Sequence, residues 1–349
     1  MGTLAGKVQH VIGVDTHKRT HTLAVVDVNG GELAVTTIGA HVAGYARMLA
    51  FGCQHAPGRR VWAIEGSGSF GAGLTTYLLE QGERVVEVDR PARPATRSGA
   101  KSDRLDAVRA AREALGRKHL CQPRRRGSRE ALRVLLRTRQ GAVAARSRAI
   151  CHLKSLVVTA PETIREQLRR LPTGALVGRC ARMRSSSRRT VEHAATIVAL
   201  RATARRVRAL EIEADQLEQQ IETIVHTQAP RLLQEPGVGA LTATELLVAW
   251  SHPGRLRSEA AFASLAGASP IPASSGEVTR HRLNRGGDRH LNRALHTIVL
   301  SRMKHHPETK AYVQRRVAEG KSCREIRRCL KRFVARRLFR LLESTAMAP

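Results

Sequence analysis

Apolar residues in the first third of the chain are spaced in two ways, and each spacing predicts a different element. Short apolar runs that end at a polar residue predict buried strands at residues 11–15, 22–27, 60–64 and 84–88. Apolar residues at every third or fourth position predict helices at residues 42–51 and 73–81. The pair Asn29-Gly30 predicts a hairpin turn. Strands that alternate with helices indicate an α/β sheet covered by helices.

From residue 122 onward the pattern changes to long helices. After a basic linker, apolar residues at steps of three, four and seven predict a helix through residues 132–157. A later helix carries apolar residues at alternating steps of three and four, namely Val207, Leu210, Ala214, Leu217, Ile221 and Ile224. This spacing predicts a coiled-coil seam, which either an intramolecular hairpin or a dimer would bury. The amphipathic, basic stretch at 325–342 predicts a core helix.

The charge of the chain changes this picture from a generic α/β protein to one with a polyanionic partner. Its 349 residues contain 60 Lys and Arg against 29 Asp and Glu, a formal net charge of +31. GC-rich codon usage would favour arginine over lysine, but it does not explain twice as many bases as acids. Release of counterions from phosphates would drive binding to nucleic acid. Aromatic residues are only 3% of the chain, which argues against rows of stacked bases as the main contact.

Cysteine spacing and hydropathy exclude several other classes. The six cysteines form no CxxC pair, so neither a zinc knuckle nor a disulfide framework is predicted, and we expect reduced, buried thiols. The first ten residues lack the apolar run of a signal peptide, and no stretch approaches about 18 uninterrupted apolar residues. We therefore expect a cytoplasmic, nucleoid-associated protein that does not bind membranes.

Four acids occupy positions where a metal site could form. Asp15 and Glu65 stand at the ends of two predicted strands, and Asp103 and Asp106 share one face of a helix that Ser102 would cap. Acids in a first helical turn also complement the helix dipole. Four carboxylates at one sheet edge would repel strongly unless divalent cations lie between them. Two Mg²⁺ ions about 4 Å apart would stabilise the attacking and leaving oxygens of a phosphoryl transfer.

A glycine-rich segment offers an alternative chemistry. Residues 66–71 match G-x-G-x-x-G after a strand and before a helix, and Glu87 follows at about the spacing of a dinucleotide fingerprint. The motif, however, follows the third predicted strand instead of the first. A nicotinamide enzyme also has no need of a charge of +31. Dinucleotide binding therefore stays a minor alternative.

The last third of the chain carries further candidates for nucleic-acid contact. Gly237 and Gly239 lie in a Pro-Gly-x-Gly turn, whose backbone N–H groups could bind a DNA phosphate at a helix start. The small-residue loop 268–276 precedes a cluster of arginines. The arginines that we expect to contact nucleic acid are those of the linker and of this cluster: Arg124, Arg125, Arg126, Arg280, Arg282, Arg285, Arg289 and Arg293.

Five segments in this order resemble the DEDD transposases of bridge-RNA-guided insertion sequences, which are related to the Piv-type DNA invertases. The segments are Gly13-Val14-Asp15 with Lys18, Ile64-Glu65-Gly66-Ser67-Gly68, residues 101–107, Pro236-Gly237-Val238-Gly239 and Ser274-Ser275-Gly276. The resemblance implies an N-terminal RuvC-like (RNase H-like) domain, a coiled-coil linker and a mainly α-helical C-terminal transposase domain. We expect these at residues 1–122, 123–230 and 231–349.

The same resemblance implies an activity and its partners. Asp15, Glu65, Asp103 and Asp106 would hold Mg²⁺ (or Mn²⁺), and Ser275 would be the nucleophile, with Ser274 beside it as the other candidate. The protein would cut and rejoin double-stranded donor and target DNA, guided by a structured noncoding RNA. It would act as homodimers that assemble into tetramers.

Other classes stay open on the sequence. A metal-dependent RuvC-like nuclease or junction resolvase would use the four acids without serine chemistry. An actin-like sugar kinase also opens with a strand, a glycine and an aspartate, but its substrates do not account for the charge. A non-enzymatic nucleic-acid scaffold would explain the charge and leave the acids without a role.

Overall fold

The computed structural model describes residues 3–4, 6–88, 102–184, 190–273, 281–282, 284 and 286–345. The chain forms two compact units. The first consists of Met1–Arg125 with Gly254–Leu256, and the second of Arg126–Pro253 with Arg257–Pro349. The finer division at residues 122 and 230 stays a prediction.

The first unit is built on a five-stranded mixed sheet. Its strands are β1 (His10–Thr16), β2 (Thr20–Asp27), β3 (Glu32–Gly39), β4 (Arg60–Glu65) and β5 (Val85–Val88). They lie in the order β3-β2-β1-β4-β5. The pairs β1–β2 and β2–β3 are antiparallel, whereas β1–β4 and β4–β5 are parallel. Its helices are α1 (Val42–His55), α2 (Ala72–Glu80) and α3 (Asp103–Gly116).

All four predicted strands and the turn at Asn29-Gly30 are confirmed, and β3 was missed. The β3 segment forms the edge of the sheet, and none of its residues is fully buried. An edge strand of this kind lacks the continuous apolar run of the central strands, so the hydrophobic pattern alone did not reveal it.

Each face of the sheet has its own apolar core. On one face, Val11, Val61 and Val86 pack with the α3 residues Ala111 and Leu115. On the other face, alternate residues of the same strands pack with Met48 of α1 and with Leu74 and Leu78 of α2; those strand residues include Ile12, Val14, Leu23, Val25, Trp62 and Ile64. Because side chains alternate along a strand, a strand buried on both faces must be apolar throughout. This explains the continuous apolar runs in the sequence.

Helix α3 lies unusually close to the central strand β1. A Cβ atom added at Gly13 would lie 2.0 Å from the carbonyl oxygen of Ala107 and 2.7 Å from the backbone nitrogen of Ala111. The contact therefore requires glycine on the strand, and the alanines of α3 keep the helix surface small. The first turn of α3 is held beside the carboxyl end of β1 as a result.

The second unit is helical apart from one two-stranded ribbon in its described residues. Its helices are α4 (Ser128–Val158), α5 (Glu162–Leu168), α6 (Thr173–Ala181), α7 (Val191–Gln228), α8 (Pro230–Leu233), α9 (Ala240–Trp250), α10 (Glu259–Leu265), α11 (Arg289–His305), α12 (Pro307–Ala318) and α13 (Cys323–Thr345). The ribbon pairs β6 (Ile271–Pro272) with β7 (His281–Arg282). The sequence had predicted a plain loop at β6.

Helices α4 and α7 pack along each other within one chain. Arg139 and Arg146 of α4 pair with Glu218 and Glu211 of α7 at 2.6 and 2.8 Å. Along the predicted seam of α7, one set of residues is buried, namely Val207, Ala214 and Ile221, and the other is half-buried, namely Leu210, Leu217 and Ile224. Packing within one chain, the first of the two predicted alternatives, therefore buries half of the seam residues.

Helix α13 is a core helix, as its amphipathic pattern predicted. It packs on α10 and α11 and buries Ile326, Leu330 and Leu338. Phe333 had been assigned to the same apolar side, and this assignment was wrong because 51% of the residue is exposed. None of the described helices is long and apolar enough to cross a bilayer.

The cysteines are free thiols, but only one of them is buried. Cys180 lies in the core of the second unit, and burial raises the pKa of its thiol to about 11. The expectation that the thiols are buried was wrong for the others: Cys53, Cys121, Cys151 and Cys323 are exposed, and Cys329 is half-buried.

The contact between α3 and β1 predicts the effect of one added methyl group. Gly13→Ala should lower the free energy of unfolding by about 1–3 kcal/mol or more, since backbone atoms of α3 must move to admit the Cβ. Gly116→Ala, at the end of the same helix with nothing within 4 Å of the new Cβ, is the matched control. Urea denaturation of both variants measures the difference. Equal stability of Gly13→Ala and wild type would contradict the proposed contact.

Candidate metal centre

The parallel pairing of β1 with β4 brings two predicted acids to the same edge of the sheet. Val14 is in register with Ile64, so that Asp15 and Glu65 follow side by side at the carboxyl ends of these strands. The hydroxyl of Thr16 donates a hydrogen bond to the carbonyl oxygen of Glu65 at 2.8 Å and ties the two strand ends together. The side chain of Asp15 is only 13% exposed.

Helix α3 brings the other two acids to this edge. Asp103 and Asp106 occupy its first turn, as the sequence predicted. Ser102 is the N-cap residue, but its side chain makes no capping hydrogen bond. Both carboxylates act on Asp15 electrostatically, since their negative charges each raise its pKa. The sheet edge thus gathers acids that are far apart in the chain.

His17 completes a close group of three possible metal ligands, and the sequence analysis missed it. Its Nε2 lies 3.1 Å from Oδ2 of Asp15 and 3.4 Å from Oδ1 of Asp103. The ligand atoms of the three residues all lie within 4.8 Å of one another. The available signal was the two-residue step from Asp15, because side chains two apart on an extended chain point to the same side.

The spacing of these atoms fits one divalent cation. An octahedral ion with ligand bonds of about 2.1 Å separates neighbouring ligand atoms by about 3.0 Å. The distances from His17 to the two carboxylates are close to this value. Two carboxylates and one imidazole form a donor set that suits Mn²⁺ as well as Mg²⁺, since imidazole binds the softer ion better. The residues present therefore fit a divalent metal.

The environment of Asp15 also favours a bound cation. Burial is the main cause that raises the pKa of its carboxyl group, while the nearby His17 lowers it. The charges of Asp103 and Asp106 raise it further. A carboxylate that is desolvated and faces like charges is stabilised when a cation binds beside it.

Two of the four predicted ligands lie at this edge but outside the close group. Glu65 ends β4, and one carboxylate oxygen of Asp106 accepts a hydrogen bond from Arg109 at 2.9 Å. That Glu65 and Asp106 bind metal stays a prediction, as does the catalytic role of all four acids.

Several predicted nucleic-acid residues lie on the surface. Arg124, Arg125 and Arg126 are exposed in the segment before α4, and Arg282 and Arg289 are exposed farther along the chain. Arg293, whose side chain is 65% exposed, lies 3.9 Å from the buried carboxylate of Glu245. The predicted nucleophile Ser275, its neighbour Ser274, and Arg280 and Arg285 lie outside the described residues.

The two glycine motifs have different surroundings. At 66–71, the N–H groups of Ser69 and Gly71 both donate to the carbonyl oxygen of Gly66 at 2.8 and 3.2 Å, so they are used within the loop. This does not support a dinucleotide site. In the second motif, Gly237 has a φ of +76° and lies against the backbone of α11, and the N–H of Gly239 donates to the hydroxyl of Thr242.

Two family models match the chain. Residues 12–160 match a transposase model of the DEDD IS110 type, and this match contains all four predicted acids. Residues 229–314 match the model described as transposase IS116/IS110/IS902 family.

Proteins of insertion elements are similar to the chain. A 42 kDa protein of insertion element IS900 from Mycobacterium paratuberculosis is 26% identical over 359 residues, which covers 88% of this chain and 89% of that protein. A 43.6 kDa protein of insertion element IS110 from Streptomyces coelicolor is 36% identical over 109 residues, which covers 30% of this chain and 27% of that protein.

Both models describe transposases, and one of them spans the sheet edge that gathers the acids. The chain is therefore a transposase, an enzyme that acts on DNA, and its sheet is that of a RuvC-like domain. It belongs to the IS110 family of DEDD transposases, the transposases of insertion elements. DEDD transposases typically use divalent metal ions, which agrees with the ligand group at Asp15, His17 and Asp103.

The ligand group predicts how one substitution changes metal preference. His17→Ala should weaken Mn²⁺ binding by about tenfold or more and Mg²⁺ binding less, because Mg²⁺ prefers oxygen ligands. Isothermal titration with each ion measures both affinities. His119→Ala removes an exposed imidazole of the same unit and serves as the control. Unchanged or tighter Mn²⁺ binding by His17→Ala would show that the imidazole is not a ligand.

Proposed function

We propose that this transposase is an RNA-guided, site-specific DNA recombinase of an insertion sequence, which cuts and rejoins DNA through a serine nucleophile and a Mg²⁺- or Mn²⁺-binding acid cluster. The observation that carries the proposal is the convergence of Asp15 and Asp103 at the sheet edge of a DEDD-family chain. The serine and the RNA rest on the resemblance of the sequence motifs.

In this proposal each acid has a defined task. Asp15, which is more buried than His17 and Asp103, would fix the position of the cation, and Asp103 and His17 would complete its coordination. Glu65 and Asp106 would hold a second cation or orient the first. The bound metal would supply positive charge to the phosphodiester oxygens as negative charge develops on them.

The serine step conserves the energy of the phosphodiester bond. Oγ of Ser275 would attack the phosphorus atom and lose its proton, while the bond to the leaving DNA hydroxyl breaks and that hydroxyl gains a proton. The phosphoserine would then be attacked by a hydroxyl of the other DNA, which restores the serine and joins the new strands. No external energy source is needed for this exchange.

The nucleic-acid partners follow from charge and resemblance. An excess of 31 positive charges suits two DNA duplexes and a structured guide RNA better than a single short site. Contacts with their phosphates would come from Arg124, Arg125, Arg126, Arg280, Arg282, Arg285, Arg289 and Arg293. The turn at Gly237 and Gly239 would contribute through N–H groups other than that of Gly239, which donates to Thr242.

Assembly into homodimers and then tetramers would use the long helix α7 as part of a coiled-coil linker. The half-buried seam residues Leu210, Leu217 and Ile224 and the 57% exposed Ile212 support this, since they leave apolar surface on α7 beyond its contact with α4.

The acid cluster predicts a metal-dependent strand exchange. Asp15→Asn, Glu65→Gln, Asp103→Asn and Asp106→Asn should each abolish recombination and keep nucleic-acid binding, because they remove cation ligands and not phosphate contacts. Glu80→Gln, an exposed acid of α2, is the control that should recombine normally. A gel assay of recombined DNA, with and without EDTA, measures the effect. Full activity in EDTA would refute the metal role.

The serine mechanism predicts a covalent protein–DNA adduct. Wild type with its RNA and a nicked DNA substrate should form an adduct that survives denaturing electrophoresis, and omission of RNA should prevent it. Ser275→Ala should lose the adduct and all recombination while still assembling with nucleic acid, and Ser274→Ala should keep activity. If the double variant cuts DNA as wild type does, the enzyme is a metal-dependent nuclease or junction resolvase without serine chemistry.

A further inference from the structure

The second unit contains a basic pocket between α13, α12 and the segment after α10. Its volume is about 670 Å³, large enough for one nucleotide. Gly267, Ala268, Ser269 and Pro270 form one wall, and residues of α13 form another. None of the residues that line it belongs to the acid cluster.

The side chains that line the pocket carry mostly positive charge. Six cations line it, namely Arg282, Arg316, Lys321, Arg328, Lys331 and Arg332, together with the single acid Glu325. The carboxylate of Glu325 accepts hydrogen bonds from the backbone N–H and hydroxyl of Ser322 at 2.9 and 2.8 Å, which caps the start of α13, and its charge also acts on Lys321 and Arg328. Arg316 pairs with Glu319. The described carboxylates therefore leave most of this charge unneutralised.

Lys331 gives the strongest evidence for an anion site among these cations. It is half-buried, its Nζ donates to the side-chain oxygen of Asn292 at 2.8 Å, and no described carboxylate pairs with it. Burial and the charge of Arg328 lower its pKa. Beside it, Arg332 donates to the hydroxyl of Ser269 at 2.7 Å. Both cations are positioned by neutral partners, so no described carboxylate neutralises either of them.

The rim of the pocket carries an exposed aromatic ring. Phe333, which lines the pocket, is 51% exposed and meets Tyr312 edge-on, with ring centroids 5.9 Å apart. Aromatic residues are few in this chain, so an exposed phenylalanine beside unpaired cations indicates a ligand-binding site. Phosphate and a planar base are the two groups that this combination recognises.

We propose that this pocket binds one unstacked nucleotide of a single-stranded nucleic acid, with its phosphate against Lys331 and Arg332 and its base stacked on Phe333. The proposal rests on the proposed function in taking nucleic acid as the ligand, and strand exchange and guide pairing as the source of single strands. Strand exchange and guide pairing both expose single strands, so the pocket would hold a strand that has left its duplex.

A tryptophan at position 333 reports the stacking directly. Trp62 and Trp250 are buried, so the exposed side chain of the Phe333→Trp variant would give a separate fluorescence signal. Thymidine DNA and uridine RNA oligonucleotides are titrated in EDTA, so that no catalysis is needed. Quenching by either strand supports the pocket and shows which strand it receives. Unchanged fluorescence at saturating single strand, or quenching by blunt duplex alone, would overturn the proposal.

Binding variants test base and phosphate separately. By anisotropy, wild type should prefer a thymidine oligonucleotide over an abasic one by about tenfold, and Phe333→Ala should remove this preference. Phe70→Ala, an exposed phenylalanine of the first unit, is the matched control. Lys331→Gln should reduce the slope of log affinity against log salt concentration by about 0.7. The reference variant is Arg324→Gln, because Arg324 is exposed on the same helix and lies outside the pocket.

Equal binding of abasic and thymidine strands by wild type would overturn the proposal even if the tryptophan variant misfolds. Because these assays omit metal and strand exchange, loss of recombination in the acid variants would leave the result intact. The two proposals can therefore fail independently.

Discussion

The contact between Gly13 and helix α3 is the constraint on which the metal centre depends. A strand in the middle of a sheet normally keeps a helix at a distance set by its side chains, but here the backbone of α3 lies against the Cα of a glycine. This approach, with Ala107 and Ala111 on the facing surface, holds the first turn of α3 beside the end of β1. Asp15 and Asp103 meet because two backbones can touch.

The choice of partner for these carboxylates matters in a chain so rich in arginine. Elsewhere, buried or half-buried acids are neutralised by arginine: Glu235 pairs with Arg302 and Arg337, and Glu259 with Arg336 and Arg340. Asp15 and Asp103 pair only with His17 among the described residues. A permanent guanidinium would compete with a divalent cation at all times, whereas neutral imidazole can become a ligand itself.

The positions of the acids at the sheet edge could be predicted from the sequence better than the exposed parts of the structure. Buried strands and the N-terminus of α3 follow from local patterns, so the positions of Asp15, Glu65 and Asp103 could be expected. The edge strand β3 and the exposed ring of Phe333 could not, because both depend on what the rest of the chain leaves uncovered. His17 was missed for a different reason: it lies just past the end of β1, so the pattern of the strand did not include it.

A count of arginines does not by itself locate a nucleic-acid interface. Many arginines form internal ion pairs, as Arg139 and Arg146 do between α4 and α7. Arg293 lies near the buried acid Glu245. What attracts a phosphate is a cation without an acid partner, in a place where water is partly excluded. Lys331 meets this condition on a helix that sequence reasoning had assigned only to the core. The net charge brings a polyanion to the protein, and the few unpaired cations decide where it is held.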